Sequence, residues 1–96
     1  MAAFVVGRVT VSDPSWIEDY IPNVQALVES HGGRYLVRNT ELDMVESVGE
    51  PPTVVVVIEF PSKEAAQAFY TSAEYGPYLK ARQAGASTEL ILTEGL

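Results

Sequence analysis

The stretch TVVVVIEF, residues 53–60, decides the fold of this 96-residue chain. It is rich in β-branched residues and Pro61 follows it, which predicts a strand. Side chains alternate along a strand, so Val54, Val56, Ile58 and Phe60 share one face, and Val55 and Val57 share the other. A strand with one face in water alternates apolar and polar residues. This one is therefore expected to be covered on both faces.

The segments on either side complete a small α+β domain. Strands are predicted at Phe4–Val11, Arg34–Arg38 and Ser87–Glu94, and the exposed run Leu42–Val48 is interpreted as a continuation or a hairpin arm. Helices are predicted after Asp13, Ser62 and Ser72. The order β-α-β-β-α-α-β predicts one ferredoxin-like domain over residues 1–96, an antiparallel sheet with its helices on one face.

Capping and breaking residues set the expected helix bounds. Asp13 and Pro14 suit the start of the first helix, and His31-Gly32-Gly33 suits its end. Pro22 is expected to kink that helix or to divide it in two. Gly76-Pro77 is expected to weaken the first turn of a third helix that Ser72 caps and Gly85 ends.

A homodimer follows from the doubly apolar strand. Helices on one face leave Val55 and Val57 uncovered, and a two-fold copy of the same sheet is the simplest cover. The alternative is a monomer with a small exposed apolar patch. Charged residues on these strands also need partners if they are buried, and Arg8 or Arg38 with Glu59 is the preferred pair. Equally, these residues can lie at solvated strand ends.

Composition excludes several classes of function. The net charge is −7, with 13 acidic and six basic residues, so we expect no binding to nucleic acid or to anionic membranes. The chain has no cysteine, which excludes disulfides, iron–sulfur clusters and thiolate metal sites. No signal peptide or membrane-spanning run is evident, so a cytoplasmic location is the default expectation.

Two segments carry a family resemblance, GGRYLVR (residues 32–38) and VVIEFPSKEAAQAFYTSAEYGPYLKARQ (residues 56–83). They resemble the domain of unknown function 1330 family, over essentially the whole chain. The resemblance implies a dimeric α+β barrel, in which two ferredoxin-like subunits pack sheet to sheet. It implies no reaction, because one fold serves many activities. The long acidic loop Asn39–Pro52 departs from the family pattern.

Candidate site residues are few. His31, the only histidine, is a candidate general base or lone haem ligand, but capping already explains its place in the last turn of a helix, and this structural interpretation is favoured. Five tyrosines are many for a short chain, although aromatics at helical spacing are more often core than ligand contacts. Tyr75, Tyr78 and Arg82 share a helix, and Arg38 ends a strand.

These residues support two hypotheses. In the first, a cleft between helices and sheet binds or transforms a small organic acid or aromatic compound. An arginine then binds the carboxylate through two hydrogen bonds. His31 is the catalytic candidate, and the substrate-binding candidates are Arg38, Tyr75, Tyr78 and Arg82. In the second, the chain is a non-catalytic dimeric module. No phosphate loop, nucleophile elbow or metal-ligand cluster is found, so no cofactor or metal is expected.

Overall fold

The computed structural model describes all 96 residues. Its elements follow the predicted order: β1 Ala3–Val11, a 3₁₀ turn Pro14–Trp16, α1 Ile17–Ser30, β2 Arg34–Asn39, β3 Val54–Phe60, α2 Lys63–Tyr70, α3 Gly76–Gly85 and β4 Ala86–Glu94. No helix of the chain is both long enough and apolar enough to cross a membrane.

The strands form one antiparallel sheet in the order β2-β3-β1-β4. The central strands are β1 and β3, so the valine-rich segment lies in the middle of the sheet, as its composition requires. This confirms the predicted α+β fold of the ferredoxin-like kind. The sheet is open within one chain, with β2 and β4 as its edges.

The chain enters and leaves α1 as its capping residues predict. The Asp13 side chain accepts a hydrogen bond from the Ser15 amide at 3.0 Å, and Pro14 opens the 3₁₀ turn. Gly32 follows the helix with φ of +81°, a conformation that favours glycine. The expected division at Pro22 is wrong, since α1 is continuous through it. Pro22 lies on the exposed side of a helix that the buried Val24 holds against the core.

Two expectations for the later segments are also wrong. The helix does not begin directly after Ser72. The Ser72 hydroxyl donates to the Phe69 carbonyl at 2.8 Å at the end of α2, and it accepts from the Tyr75 amide at 3.4 Å, so it caps a turn that leads into α3. Instead α3 begins at Gly76, with Pro77 in the first turn, where proline is well tolerated. Leu42–Val48 forms no strand. The pairing of β2 with β3 stops at Asn39 and Val55, and Pro51-Pro52 cannot extend the ladder.

The sheet has a helix face and an open face. On the helix face lies a buried core of seven residues from α1, α2, β3 and the start of α3: Val24, Val28, Ile58, Phe60, Ala66, Phe69 and Tyr75. On the open face one apolar row crosses all four strands, because Val37 lies opposite Val57, Val57 opposite Val6 and Val6 opposite Ile91. We call these four residues the apolar row.

Charged residues flank the apolar row on both sides. Arg34 and Glu59 lie opposite each other and form a salt bridge of 2.8 Å. On the other side Arg8 lies opposite Glu89. The partner of Glu59 is therefore Arg34, and the predicted pairing with Arg8 or Arg38 is wrong. The register sets Arg8 opposite Val55, and Arg38 lies on the other face of the sheet.

Candidate ligand cavity

A cavity of about 360 Å³ lies between the helix face of the sheet and the helices. Its wall has 23 residues, of which 17 are hydrophobic. Strand valines such as Val5, Val54 and Val56 line the sheet side, and aromatic residues of α1, α2 and the start of α3 line the helix side. A volume of this size, mostly apolar with a few polar groups, is typical of a site for a small organic molecule.

The charge in the cavity is opposite in sign to that of the chain. Arg38 and Arg82 are in its wall, and no Asp, Glu, His or Lys is. The chain has six basic residues against 13 acidic ones. Two of the six therefore face a space that excludes all 13 carboxylate side chains, and the cavity is electrostatically suited to an anion.

The deep polar end of the cavity is built on Arg82 and two tyrosines. Arg82 is only 4% exposed, and its Nη2 donates a hydrogen bond to the Tyr75 hydroxyl at 3.3 Å. The Tyr75 and Tyr20 hydroxyls are hydrogen-bonded to each other at 2.7 Å. The one salt bridge of the chain joins Arg34 and Glu59, so no carboxylate lies within 4.0 Å of the Arg82 guanidinium. A buried charge without a counter-ion is costly, and an anionic ligand would offset that cost.

Burial raises the pKa of two cavity tyrosines, Tyr20 and Tyr35. Burial, and next the nearby Tyr75 hydroxyl, raise the pKa of Tyr20 far above its ordinary value. The same two causes raise the pKa of Tyr35 to about 12, although the charges of Arg38 and Arg82 act in the opposite direction. Protonated phenols can donate hydrogen bonds to a ligand oxygen, so these tyrosines reinforce the preference for an anion.

The mouth of the cavity is formed at β2 by a β-bulge. Leu36 has no partner on β3, so Tyr35 lies opposite Ile58 while Arg38 lies opposite Val56. The extra residue turns both side chains to the helix face. The Arg38 guanidinium stacks on the Tyr35 ring, 4.9 Å from its centroid, and donates to Gln25 Oε1 at 3.2 Å.

Two further polar atoms lie buried in cavity-lining residues without a hydrogen-bond partner, Trp16 Nε1 and Thr88 Oγ1. Trp16 is wedged against Gly85, where an added Cβ would lie 2.6 Å from the indole nitrogen. Thr88 lies on β4, and together with Arg82 it also lines an adjoining depression of about 250 Å³. Unpartnered buried polar groups are uncommon in folded proteins, and both lie in residues at the cavity.

The structure brings together three of the five predicted site residues. Arg38, Tyr75 and Arg82 line the cavity. Tyr78 does not, because its position on α3 turns it to an outer groove between α1 and α3. His31 is also outside the cavity: its Nδ1 donates to the Leu27 carbonyl at 2.9 Å, which is the capping arrangement considered from the sequence.

The sequence prediction did not single out Tyr20 or Tyr35 as binding residues. Tyr20 lies among the apolar residues of α1 at helical spacing, which is typical of a core residue. Its polar role depends on the hydrogen bond to the Tyr75 hydroxyl, which helical spacing does not reveal. Tyr35 reaches the same cavity as Arg38 through the bulge at Leu36. No sequence signal marks that bulge.

Comparison with known proteins identifies the family of this chain. The sequence profile of the family described as "Domain of unknown function (DUF1330)" matches residues 2–96. The chain belongs to this family. Membership in the DUF1330 family confirms the resemblance found in residues 32–38 and 56–83. No curated protein matches the sequence significantly.

Solved structures share the fold at low sequence identity. The RPA0582 protein of unknown function from Rhodopseudomonas palustris is 20% identical, with a TM-score of 0.82 over 99% of this chain and 82% of that one. SnoaB, a cofactor-independent oxygenase from Streptomyces nogalater, is 16% identical, with a TM-score of 0.71 over 99% and 93% of the two chains. A dimeric protein of unknown function and ferredoxin-like fold from Bacteroides fragilis is 13% identical, with a TM-score of 0.54 over 98% and 96%. At these identities the likeness concerns the fold alone.

Proposed function

We propose that this protein binds a small organic acid with an apolar or aromatic body in the cavity, with the acidic group at Arg82. One observation carries the proposal: Arg82 is 4% exposed, lines a largely apolar cavity and has no carboxylate partner. An arginine buried for structural reasons alone would normally be paired with an acid. The Tyr75 hydroxyl fixes one side of the guanidinium and leaves its other donors free for a carboxylate.

The wall chemistry supports binding more than acid–base catalysis. A general base needs a group that can lose and accept a proton near neutral pH. No His, Asp, Glu, Lys or Cys lines the cavity, and burial raises the pKa of the lining Tyr20 and Tyr35 further from neutrality. The groups present, guanidinium and phenol, can hold an anion or stabilise negative charge on a ligand oxygen. SnoaB is an oxygenase of the same fold. A transformation of the ligand here would need a substrate that is already ionised when it binds.

The test is a thermal-shift screen of small aromatic and keto acids, each compared with its uncharged primary amide. An acid that binds at Arg82 raises the melting temperature, and its amide does so much less because it lacks the charge. The same acid has no effect on the Arg82→Met variant, which keeps the length of the side chain and removes the guanidinium.

Lys80→Gln is the matched control, since Lys80 is an exposed cation of the same helix that lines none of these cavities. It removes one positive charge from the chain and should leave the response to acids unchanged. Equal stabilisation by acids and amides, or an undiminished response of Arg82→Met, would refute the proposal.

We further propose that the protein works as a homodimer joined through the open face. The apolar row (Val37, Val57, Val6 and Ile91) is uncovered in one chain, and Ile91 is 52% exposed. A basic and an acidic residue flank the row on each side, so a two-fold copy can pack apolar row on apolar row and set opposite charges facing at both borders. The Bacteroides fragilis protein of this fold is described as dimeric.

A further inference from the structure

The two cavity arginines lie toward opposite edges of the sheet. Arg38 is on the edge strand β2, opposite Val56, and the same cross-strand row continues through Gly7 to Leu90 on the other edge strand, β4. With about 4.8 Å between neighbouring strands, the backbones at the two ends of this row are roughly 14 Å apart. Arg82 is at the β4 end, because it shares the adjoining depression with Thr88 and Leu90.

The cavity therefore has a cation at each end and apolar walls between them. The space from one to the other is bounded by Val5, Val9, Val54, Val56 and Ile58 on the sheet side. Tyr35 also lines this space, and the charges of both guanidiniums act to lower the pKa of its hydroxyl.

Arg38 is free to bind an anion and is held in place to do so. It forms no salt bridge, although the loop that follows it carries several acidic residues, Glu41, Asp43, Glu46 and Glu50. Its guanidinium is held by the Tyr35 ring and by Gln25 of α1. An arginine ordered in this way loses less freedom on binding than one extended into solvent.

We propose that the ligand carries two acidic groups, at opposite ends of a flat apolar body, with one bound by Arg82 and the other by Arg38. This rests on the proposed function and narrows its ligand class from acids to diacids. Arg82 supplies the buried contact, and Arg38 supplies the contact at the mouth. The tyrosine rings and strand valines between them pack against the apolar body.

Matched ligand pairs test the proposal by calorimetric titration of the full chain at neutral pH, where carboxylates are ionised. The probes are terephthalate and biphenyl dicarboxylate with para carboxylates, each beside its own monomethyl ester. The ester keeps the body and one carboxylate and removes the second charge. At least one diacid should bind about tenfold more tightly than its ester, the value of a good charge-assisted contact.

Three variants test whether Arg38 causes the difference in affinity between a diacid and its ester. Arg38→Gln should bring a diacid down to the affinity of its ester and leave the ester unaffected, since the ester has no second carboxylate for the exposed Arg38 to bind. Arg82→Met should lose both ligands. Lys80→Gln should behave as the wild type. Added salt should reduce the advantage of the diacid more than the affinity of the ester, because the mouth is exposed to screening ions.

The outcomes separate this inference from the proposed function. Binding of the esters with no gain for any diacid, or a gain that persists in Arg38→Gln, refutes the two-ended ligand and leaves a site for monoacids. Failure of every diacid and every ester to bind refutes both. Loss of the diacid's gain in Arg38→Gln, with binding of the ester retained and circular dichroism unchanged, supports it.

Discussion

The Arg82 guanidinium donates to the Tyr75 hydroxyl at 3.3 Å, and both residues are buried, at 4% and 2% exposure. Tyr75 is in turn hydrogen-bonded to Tyr20 at 2.7 Å, so one hydroxyl joins α3 to α1 and positions the only buried cation of the chain. The three residues link fold and site, because the same contacts that fix the helices also present a charge to the cavity.

Arg82→Met should leave the ligand-free protein at least as stable as the wild type. Replacing a buried, unpaired charge with an apolar side chain of similar length is neutral or stabilising by about 1–3 kcal/mol. Denaturant unfolding without ligand measures this, with Lys80→Gln as the control. A loss of more than about 2 kcal/mol would mean that Arg82 serves the core and not a ligand.

Tyr75→Phe should cost more stability than Tyr20→Phe. Without its hydroxyl Tyr75 leaves both Arg82 and Tyr20 unsatisfied, which predicts a loss of about 2–3 kcal/mol, whereas Tyr20→Phe leaves the contact between Arg82 and Tyr75 intact and should cost about 1 kcal/mol. The free energies of unfolding of the wild type, the two single variants and the double variant Tyr20→Phe/Tyr75→Phe form a double-mutant cycle, which gives the coupling energy between Tyr20 and Tyr75. The reverse order would show that Tyr75 is not the centre of this cluster.

The stability of the protein should fall as the pH rises above about 10. Tyr35 has a pKa of about 12 in the folded chain against an ordinary value of 10.0, so the unfolded chain loses this proton first. The contribution of Tyr35 to the free energy of unfolding is fully present below pH 10. It is lost between pH 10 and pH 12, at about 1.4 kcal/mol per pH unit. Unfolding at a series of alkaline pH values should give a shallower decline for Tyr35→Phe. The exposed Tyr70→Phe is the control, and identical slopes for all three proteins would contradict the assignment.

Much of this fold follows from local pattern. TVVVVIEF had to lie centrally because both of its faces are apolar, and Asp13, Gly32 and Ser62 mark helix ends by backbone chemistry that acts within a few residues. Gly76-Pro77 was expected to weaken the first turn of a helix starting after Ser72, whereas α3 begins at Gly76 and proline is well tolerated there. The pattern alone did not show that the helix starts at Gly76 and not directly after Ser72.

The site was harder to predict because it depends on register. Simple alternation would place Tyr35 and Arg38 on opposite faces of β2, and only the unpaired Leu36 brings them together. Likewise Glu59 meets Arg34 because the two are opposite in the ladder, which sequence spacing does not reveal. Arg82 and Tyr75 were predicted correctly as cavity residues because a separation of seven residues, two helical turns, places both on the same face of a helix.

The open face gives the prediction that tests assembly. Val57→Lys places a charge in the middle of the apolar row, and in a two-fold dimer each substitution occurs twice at one interface. Burying an unpaired ammonium there would cost several kcal/mol per subunit, so the variant should be monomeric or aggregated by light scattering and sedimentation. Val45→Lys is the matched control, because Val45 is 92% exposed in the loop between β2 and β3 and should leave the assembly unchanged. Because the cavity lies on the other face of the sheet, a folded Val57→Lys monomer should still bind acids. A wild-type monomer at micromolar concentration, or a Val57→Lys dimer of undiminished stability, would show that the apolar row is not the dimer interface.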